Sequence, residues 1–222
     1  MATALPLADG RSVPAAGADD LRRDLRLIAD MIAPGARVLD IGCGDGALLA
    51  HLTRHKGVDG RGMELSQSGV NACVGHGLSV IQGDADRDLA AYPSGAFDVV
   101  VLSQTLQATR NPRRVVKTLV RIGRRAIVSF PNFGFWRIRA SLLTAGRMPV
   151  SSLLPYPWYE TPNIHLCTIR DFVAMCEELD IRIERGVTLD RLGRPYPFEP
   201  HGRLANLLGE QGVFVLSGRG AG

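Results

Sequence analysis

Residues 37–46 read RVLDIGCGDG, and this stretch decides the fold. Its first five residues form a short apolar run of the kind that makes a buried strand, and the glycines that follow permit a tight turn. Leu48, Leu49 and Leu52 then continue at helical spacing. The stretch therefore predicts a strand, a glycine turn and a helix whose free N–H groups point into a crevice.

Strands and helices alternate along the rest of the chain. We predict strands that end at Glu64 and cover Leu78–Gln82, Phe97–Leu102, Arg125–Phe130, Arg182–Leu189 and Gly212–Ser217. We predict helices at Leu21–Ile32, after Gly46, over Ser66–His76, from Asn111–Pro112 onward and over Ile169–Leu179. This order implies an α/β fold with a Rossmann-like, doubly wound, mostly parallel seven-stranded sheet. The last two strands are joined by an irregular stretch without a clear helix, and they suggest an antiparallel edge strand.

The length of 222 residues allows one such sheet with its helices and leaves no room for a second ordinary domain. Residues 1–18 are rich in Ala, Gly and Pro, so we expect a flexible tail followed by a single domain over 19–222. Met1–Gly17 lacks the basic and apolar regions of a secretory signal, and no uncharged stretch is long enough to cross a bilayer. We therefore expect a soluble cytoplasmic protein with no membrane contact.

Cysteine spacing and charge exclude several kinds of site. The four cysteines form no CxxC pair and no cluster at metal-ligand spacing, so we expect neither disulfides nor a metal. The net charge of +4 could indicate nucleic acid, but most arginines are scattered. One basic cluster comprises Arg113, Arg114, Lys117, Arg121, Arg124 and Arg125. We interpret it as a solvated helix face rather than a phosphate-binding strip, so nucleic acid is an unlikely partner.

Acidic residues follow each of the first three strands: Asp40, Glu64 and Asp84. Ligands of doubly wound sheets bind at the carboxyl ends of the strands, where these side chains would meet. Glu64 can accept hydrogen bonds from both hydroxyls of a ribose. Asp84, beside Ala85, is placed to accept from an adenine amino group. Asp40 can favour a cationic part of the same ligand.

Two other interpretations of these residues stay open. Gly42, Gly44 and Ala47 also fit the dinucleotide pattern GxGxxG/A, with Glu64 at the distance of a ribose-binding acid. A diphosphate would then lie between Asp40 and Asp45, where like charges repel, whereas S-adenosylmethionine carries no phosphate. Alternatively, Glu64 and Asp84 merely cap the helices that follow them. We predict S-adenosylmethionine, or S-adenosylhomocysteine, as the cofactor.

The motifs match a known family pattern. DIGCGDG at 40–46, EL at 64–65, GDA at 83–85 and FDVV at 97–100 resemble the class I methyltransferase core. SQTLQ at 103–107, FPNFGFW at 130–136 and TPNIHLCT at 161–168 resemble the methionine biosynthesis protein MetW family. That resemblance implies a protein that binds and supports a homoserine O-acyltransferase. The expected cofactor-binding residues are Asp40, Gly42, Cys43, Gly44, Glu64, Leu65, Asp84, Ala85, Ser103 and Gln104.

Whether methyl transfer occurs is left open by the residues after the fourth strand. They read Ser103-Gln104-Thr105-Leu106, which is neither the Asn-Pro-Pro-aromatic signature of amine methylation nor the Pro-Cys of cytosine methylation. Ser103 and Gln104 either contact the methionine end of the cofactor or simply finish the strand. His165 is interpreted as a packing or hydrogen-bonding residue, and we identify no catalytic base. The alternative function is a methyltransferase for a small molecule, with an RNA-associated enzyme as a weaker third.

An insert at about 131–167 is the last informative feature. Aromatic and arginine residues concentrate there and just before it: Phe130, Phe133, Phe135, Trp136, Arg137, Arg139, Arg147, Tyr156, Trp158 and Tyr159. Such enrichment is typical of interface anchors. An equally good interpretation is a lid that buries its own aromatic side chains.

Overall fold

The structure is a computed structural model that describes residues 21–151, 154, 156–196, 199 and 202–218. The tail predicted at 1–18 lies outside the described residues. The described part of the chain contains one seven-stranded sheet with helices on both faces.

The sheet agrees closely with the sequence prediction. Its strands are β1 (Arg37–Ile41), β2 (Asp59–Glu64), β3 (Ser79–Gln82), β4 (Phe97–Ser103), β5 (Gly123–Pro131), β6 (Ile181–Leu189) and β7 (Gln211–Gly218). They lie in the order β3-β2-β1-β4-β5-β7-β6. Strands β1 to β5 pair in parallel, and β7 is antiparallel to both of its neighbours, β5 and β6. The predicted α/β class, the mostly parallel sheet and its antiparallel edge are confirmed.

Helices connect the strands and begin where the sequence offers caps. They are α1 (Arg23–Asp30), α2 (Ala47–Lys56), α3 (Gln67–Gly75), α4 (Pro112–Ile122), α5 (Trp136–Ala145), α6 (Ile169–Glu178) and α7 (Arg203–Leu208). The side chain of Asn111 accepts from the Arg114 N–H before α4, and Thr168 and Asp171 form a reciprocal capping box at α6. None of the described helices is both long and apolar enough to span a bilayer.

Two sequence predictions need correction. The connection between β6 and β7 was predicted to be irregular, but it contains α7, a helix of only six residues between Gly202 and Gly209. So short a helix shows no clear apolar period in the sequence. Phe130 was grouped with the aromatic insert, but it belongs to β5 and is fully buried against Phe172 and Phe214.

Alternating side chains of the central strands fill two cores, one on each face of the sheet. In β4, Val100 and Leu102 pack on the face covered by α4 and α6, while Val99 and Val101 pack on the face covered by α1 and α2. The strand order reverses between β1 and β4, so the turns after these two strands diverge to opposite faces. A crevice opens at that point, as in other doubly wound sheets.

Candidate functional site

A cleft lies at the carboxyl ends of β1 and β4. Six of the ten predicted cofactor residues line it: Asp40, Gly42, Cys43, Gly44, Ser103 and Gln104. Thr105 and Asp45 also line it, and Arg22 and Leu25 border it just before and within α1. Glu64, Leu65, Asp84 and Ala85 do not line this cleft and lie at the ends of β2 and β3 beside it.

The turn after β1 requires glycine at a specific point. Gly42 has a φ of +69°, and a Cβ there would lie 2.4 Å from Oγ1 of Thr105. Thr105 follows β4, so only a residue without a side chain lets the two turns approach this closely. Gly44 also has a positive φ, +58°, but a Cβ there would point into open space. The second glycine therefore leaves room beside the loop for a ligand.

Glu64 binds the glycine loop directly. Its Oε2 accepts the Gly44 N–H at 2.9 Å, while Oε1 accepts the N–H and the hydroxyl of Ser66 at 2.9 and 3.0 Å. Because Ser66 is the N-cap of α3, the carboxylate also supports the start of that helix. A carboxylate has about four acceptor positions, so three internal bonds leave capacity for a ligand hydroxyl. The capping interpretation and the ligand interpretation are therefore compatible.

The carboxylate of Asp84 bonds mainly to residues of its own turn. Its Oδ1 accepts the Asp86 N–H at 2.9 Å, and its Oδ2 lies 3.3 Å from Nε of Arg87. The main chain connects this turn to β2, because the Gly83 N–H donates to the carbonyl of Glu64 at 3.0 Å. Leu65, which follows Glu64, is 65% exposed. Asp84 thus lies at the expected strand end, but its carboxylate stabilises the loop.

Two acids, Asp40 and Asp45, and one base, Arg22, line the cleft, and Arg22 is paired with Asp24. Asp40 is buried, and burial together with the nearby charge of Glu64 raises its pKa to about 7. A positive charge beside Asp40 would stabilise its ionised form against both burial and the charge of Glu64. An added negative charge would increase the repulsion that Asp40 already experiences from Glu64. The arrangement therefore favours a cationic ligand.

The side chain of Cys43 contacts α3. Its Sγ lies 3.8 Å from Sγ of Cys73 on α3, and Cys73 also contacts the carbonyl oxygen of Gly44 at 3.4 Å. Both thiols are free, and burial raises the pKa of each. The main chain at Cys43 lines the cleft, while its side chain packs the loop against α3.

The turn after β4 forms the other wall of the cleft. The hydroxyl of Ser103 lies 3.0 Å from that of Ser129, and the Gln104 N–H donates to the Ser129 carbonyl at 2.9 Å. Gln104 has a φ of +55°, which is rare for a residue with a side chain. The sequence does not predict that Thr105 lines the cleft, because its contact with Gly42 joins residues far apart in the chain.

His165 lies away from the cleft. Its Nε2 is 3.4 Å from the carbonyl oxygen of Arg110, and its N–H donates to the carbonyl of Gln107 at 3.0 Å. No histidine lines the cleft in the part of the chain that the structure describes. The arrangement offers binding groups for a cation and no obvious proton acceptor other than its carboxylates.

The chain matches known proteins over most of its length. The family whose description is methionine biosynthesis protein MetW matches residues 22–216. The chain belongs to the MetW family. A bifunctional methionine biosynthesis protein MetXA/MetW from Rhodopirellula baltica is 34% identical over 194 residues, which cover 83% of this chain and 31% of that protein.

This MetW-family chain is also similar to methyltransferases in sequence and in fold. A ubiquinone biosynthesis O-methyltransferase from Xanthomonas oryzae pv. oryzae is 32% identical over 120 residues, which cover 52% of this chain and 49% of that enzyme. The chain thus spans about a third to a half of the length of these curated relatives. A solved S-adenosylmethionine-dependent methyltransferase from Mesorhizobium loti has the same fold, with a TM-score of 0.65, 15% identity and coverage of 90% of this chain and 99% of that one.

The basic cluster of this MetW-family chain is largely paired. Arg113 contacts Glu178, Arg125 lies 2.9 Å from Glu184, and Arg124 lies 3.8 Å from Asp98. Arg121 donates to main-chain carbonyls at Leu89, Ala90 and Tyr92. Four of the six side chains thus have protein partners, and Arg124 and Arg125 lie on β5 rather than on the predicted helix face.

Proposed function

We propose that this MetW-family chain binds S-adenosylmethionine in the cleft between β1 and β4 and serves methionine biosynthesis by supporting a homoserine O-acyltransferase. The single observation behind the cofactor proposal is the buried carboxyl group of Asp40 in the cleft wall, next to a glycine turn with open space over Gly44. S-adenosylmethionine carries a sulfonium and an ammonium group and no phosphate, so it can place positive charge beside this carboxyl group.

The residues present fit this ligand. Asp40 would contact the cationic methionine part beside the glycine turn, with Ser103 and Gln104 on the opposite wall. Glu64 would accept from the ribose with its remaining acceptor capacity. Leu65, Asp84 and Ala85 would border the adenine. The cofactor would supply an activated methyl group, and the chain's own contribution is to bind and orient the nucleoside.

The same charges oppose a dinucleotide. A diphosphate at the glycine loop would have to approach Asp40 and Asp45 in the cleft wall, with Glu64 beside the cleft. Bringing two like charges close together in a partly buried cleft is unfavourable. The cost is on the order of several kcal/mol, which is their Coulomb energy at an intermediate dielectric constant. We therefore infer that nicotinamide dinucleotides bind weakly or not at all.

The proposal for the partner depends on the relative from Rhodopirellula baltica. In that protein a MetW-like part is joined to MetXA in one polypeptide. We infer that the MetXA part corresponds to the homoserine O-acyltransferase that the family resemblance implies. Covalent fusion of two parts in one organism supports contact between the separate chains in another.

Co-purification of the chain with a homoserine O-acyltransferase tests this role, with the rate of acyl transfer measured with and without the chain. We expect a stable complex and a changed rate. Addition of S-adenosylmethionine tests whether the cofactor regulates the complex, because a ligand that prefers one state must shift the equilibrium. If Glu64→Ala abolishes cofactor binding but leaves the effect on acyl transfer intact, the regulatory part of the proposal is wrong.

A second candidate is a methyltransferase that acts on a small molecule. Its support is the similarity to O-methyltransferases and an apolar cleft in the insert, lined by Phe133, Met148, Leu154, Tyr156, Trp158 and Ile164. Transfer of a labelled methyl group to a component of a metabolite extract would favour this candidate. Its absence, in a preparation shown to bind the cofactor, would favour the accessory role.

A further inference from the structure

The insert between β5 and α6 leaves an unusually apolar surface uncovered. Among the described residues, fifteen large hydrophobic side chains are exposed, and nine of them lie at 131–167. These nine are Trp136, Leu142, Leu143, Val150, Tyr156, Trp158, Tyr159, Ile164 and Leu166, which we call the insert face. Four of them, Tyr156, Trp158, Ile164 and Leu166, line one cleft, and a contiguous exposed apolar patch marks an interaction site.

Helix α5 packs only partly against the rest of the described chain. It has ten residues and none of them is buried. Isolated helices shorter than about 12–15 residues are marginal in water, so α5 needs a packing surface to be stable. Leu143 on this helix is 89% exposed, which places a large apolar side chain almost entirely in solvent.

The aromatic residues of the insert face are arranged as anchors. Trp158 and Tyr159 are 74% and 68% exposed, and their rings meet edge to face at 5.7 Å. Every exposed Trp or Tyr of the described residues lies on the insert face. These two residue types dominate the binding energy of protein interfaces when they become buried. The lid interpretation requires the insert to bury its own aromatics, and these four side chains remain exposed.

The charge of the insert restricts what can cover it. Residues 131–167 contain three arginines, Arg137, Arg139 and Arg147, against one acid, Glu160. In a symmetric dimer the same patch meets itself, so two net positive surfaces would face each other. A different protein with an apolar groove rimmed by carboxylates is complementary in both respects.

From these observations we propose that the insert face, centred on α5 and Trp158, is the surface on which the chain docks to the homoserine O-acyltransferase. This inference rests on the proposed function, which takes the partner from the family resemblance and from the fused relative. It adds the location of the interface and the chemistry of the opposite surface, which is apolar with an acidic rim. None of the nine residues of the insert face lines the cofactor cleft, which is built from other residues.

The test measures the dissociation constant between the full-length chain and the acyltransferase by calorimetry. We expect Trp158→Ala and Leu143→Asp each to weaken binding at least tenfold, with thermal stability and S-adenosylmethionine binding unchanged. Val74→Ala is the matched control, because Val74 is 59% exposed on α3, at the opposite end of the sheet. It should bind like the unmodified chain.

The outcomes separate the inference from the proposed function. If the unmodified chain does not bind the acyltransferase, the proposed partner is wrong. If it binds and both insert variants bind equally well, the partner stands and the docking surface is wrong. Light scattering provides a further check: loss of self-association in Trp158→Ala, without a change in acyltransferase affinity, would assign the face to a second copy and overturn the inference.

Discussion

The N–H of Gly44 donates to Oε2 of Glu64 at 2.9 Å. This one bond joins the glycine loop after β1 to the end of β2, and the same carboxylate holds Ser66 at the start of α3. Glu64 therefore shapes the loop before any ligand is bound. Its removal should affect both the stability of the loop and the proposed binding of the cofactor.

Glu64→Gln should weaken S-adenosylmethionine binding at least tenfold. The amide group of Gln can accept at only one end, so either Gly44 or Ser66 would face a donor instead of an acceptor. Loss of a hydrogen bond to a charged group costs about 1–3 kcal/mol, so the free energy of unfolding should fall by a similar amount. Calorimetric titration and denaturant unfolding measure the two effects.

Asp59→Asn is the control for this change, since it makes the same chemical substitution at the exposed opposite end of β2. It should leave both quantities unchanged. Equal affinity and stability in Glu64→Gln and the unmodified chain would show that the carboxylate has neither role.

Gly42→Ala should destabilise the protein more than Gly57→Ala. Both positions have a left-handed φ, +69° and +60°, so both substitutions incur about 1–2 kcal/mol of backbone strain. At Gly57 a Cβ meets nothing within 4 Å, whereas at Gly42 it would lie 2.4 Å from Oγ1 of Thr105. The free energy of unfolding should therefore be lower for Gly42→Ala than for Gly57→Ala by about 1–3 kcal/mol, the cost of overpacking. Urea unfolding measures this difference.

When Thr105→Ala is combined with Gly42→Ala, part of the lost stability should return. Thr105→Ala removes the two atoms of Thr105 closest to the new Cβ. If the two single glycine variants lose the same stability, the close approach of the two turns is not a constraint.

Asp40 should make the protein less stable as pH rises from about 4 to 7. Its pKa is raised from 3.8 to about 7, so in this range the folded protein holds a proton that the unfolded chain releases. The unfolded state therefore binds fewer protons than the folded state. As a result, the contribution of Asp40 to the free energy of unfolding falls by about 1.4 kcal/mol per pH unit and levels off above pH 7.

Asp40→Asn should remove this slope. Unfolding free energies of both proteins at pH 5, 6, 7 and 8 give the comparison, and their difference should grow up to pH 7 and then stay constant. Parallel pH profiles would mean that Asp40 ionises normally despite its burial beside Glu64.

The thiols of Cys43 and Cys73 should be unreactive in the folded protein. Both are buried, and burial raises the pKa of each, so almost no thiolate forms near neutral pH. Iodoacetamide at pH 8 should modify them only after unfolding, as followed by mass spectrometry. A Val74→Cys variant, exposed on the same helix as Cys73, supplies the positive control. Labelling of Cys43 at the rate of that control would contradict the expectation.

Local signals in the sequence were sufficient for the sheet and for the ends of β1, β2 and β4. The run at 97–102 is apolar and β-branched, and it forms β4 because both faces of that strand are buried. Asp40 could be found because a buried strand rarely ends in an acid without a reason. These features depend on residues that are adjacent in the chain.

Features that depend on distant contacts could not be predicted. The approach of Thr105 to Gly42 joins two turns, and the bonds of Glu64 to Gly44 and Ser66 depend on how the loop folds back over β2. Helix α7 was missed because six residues give no periodic pattern. The aromatic composition of the insert was visible in the sequence, but the absence of any buried residue in α5 required the structure.

The most direct test of the central claim is a pair of calorimetric titrations of the full-length chain, one with S-adenosylmethionine and one with oxidised nicotinamide adenine dinucleotide. The acids at Asp40 and Glu64 predict saturable binding of S-adenosylmethionine, and no heat of binding with the dinucleotide at the same concentrations. Binding of the dinucleotide without binding of S-adenosylmethionine would contradict the account of the cleft.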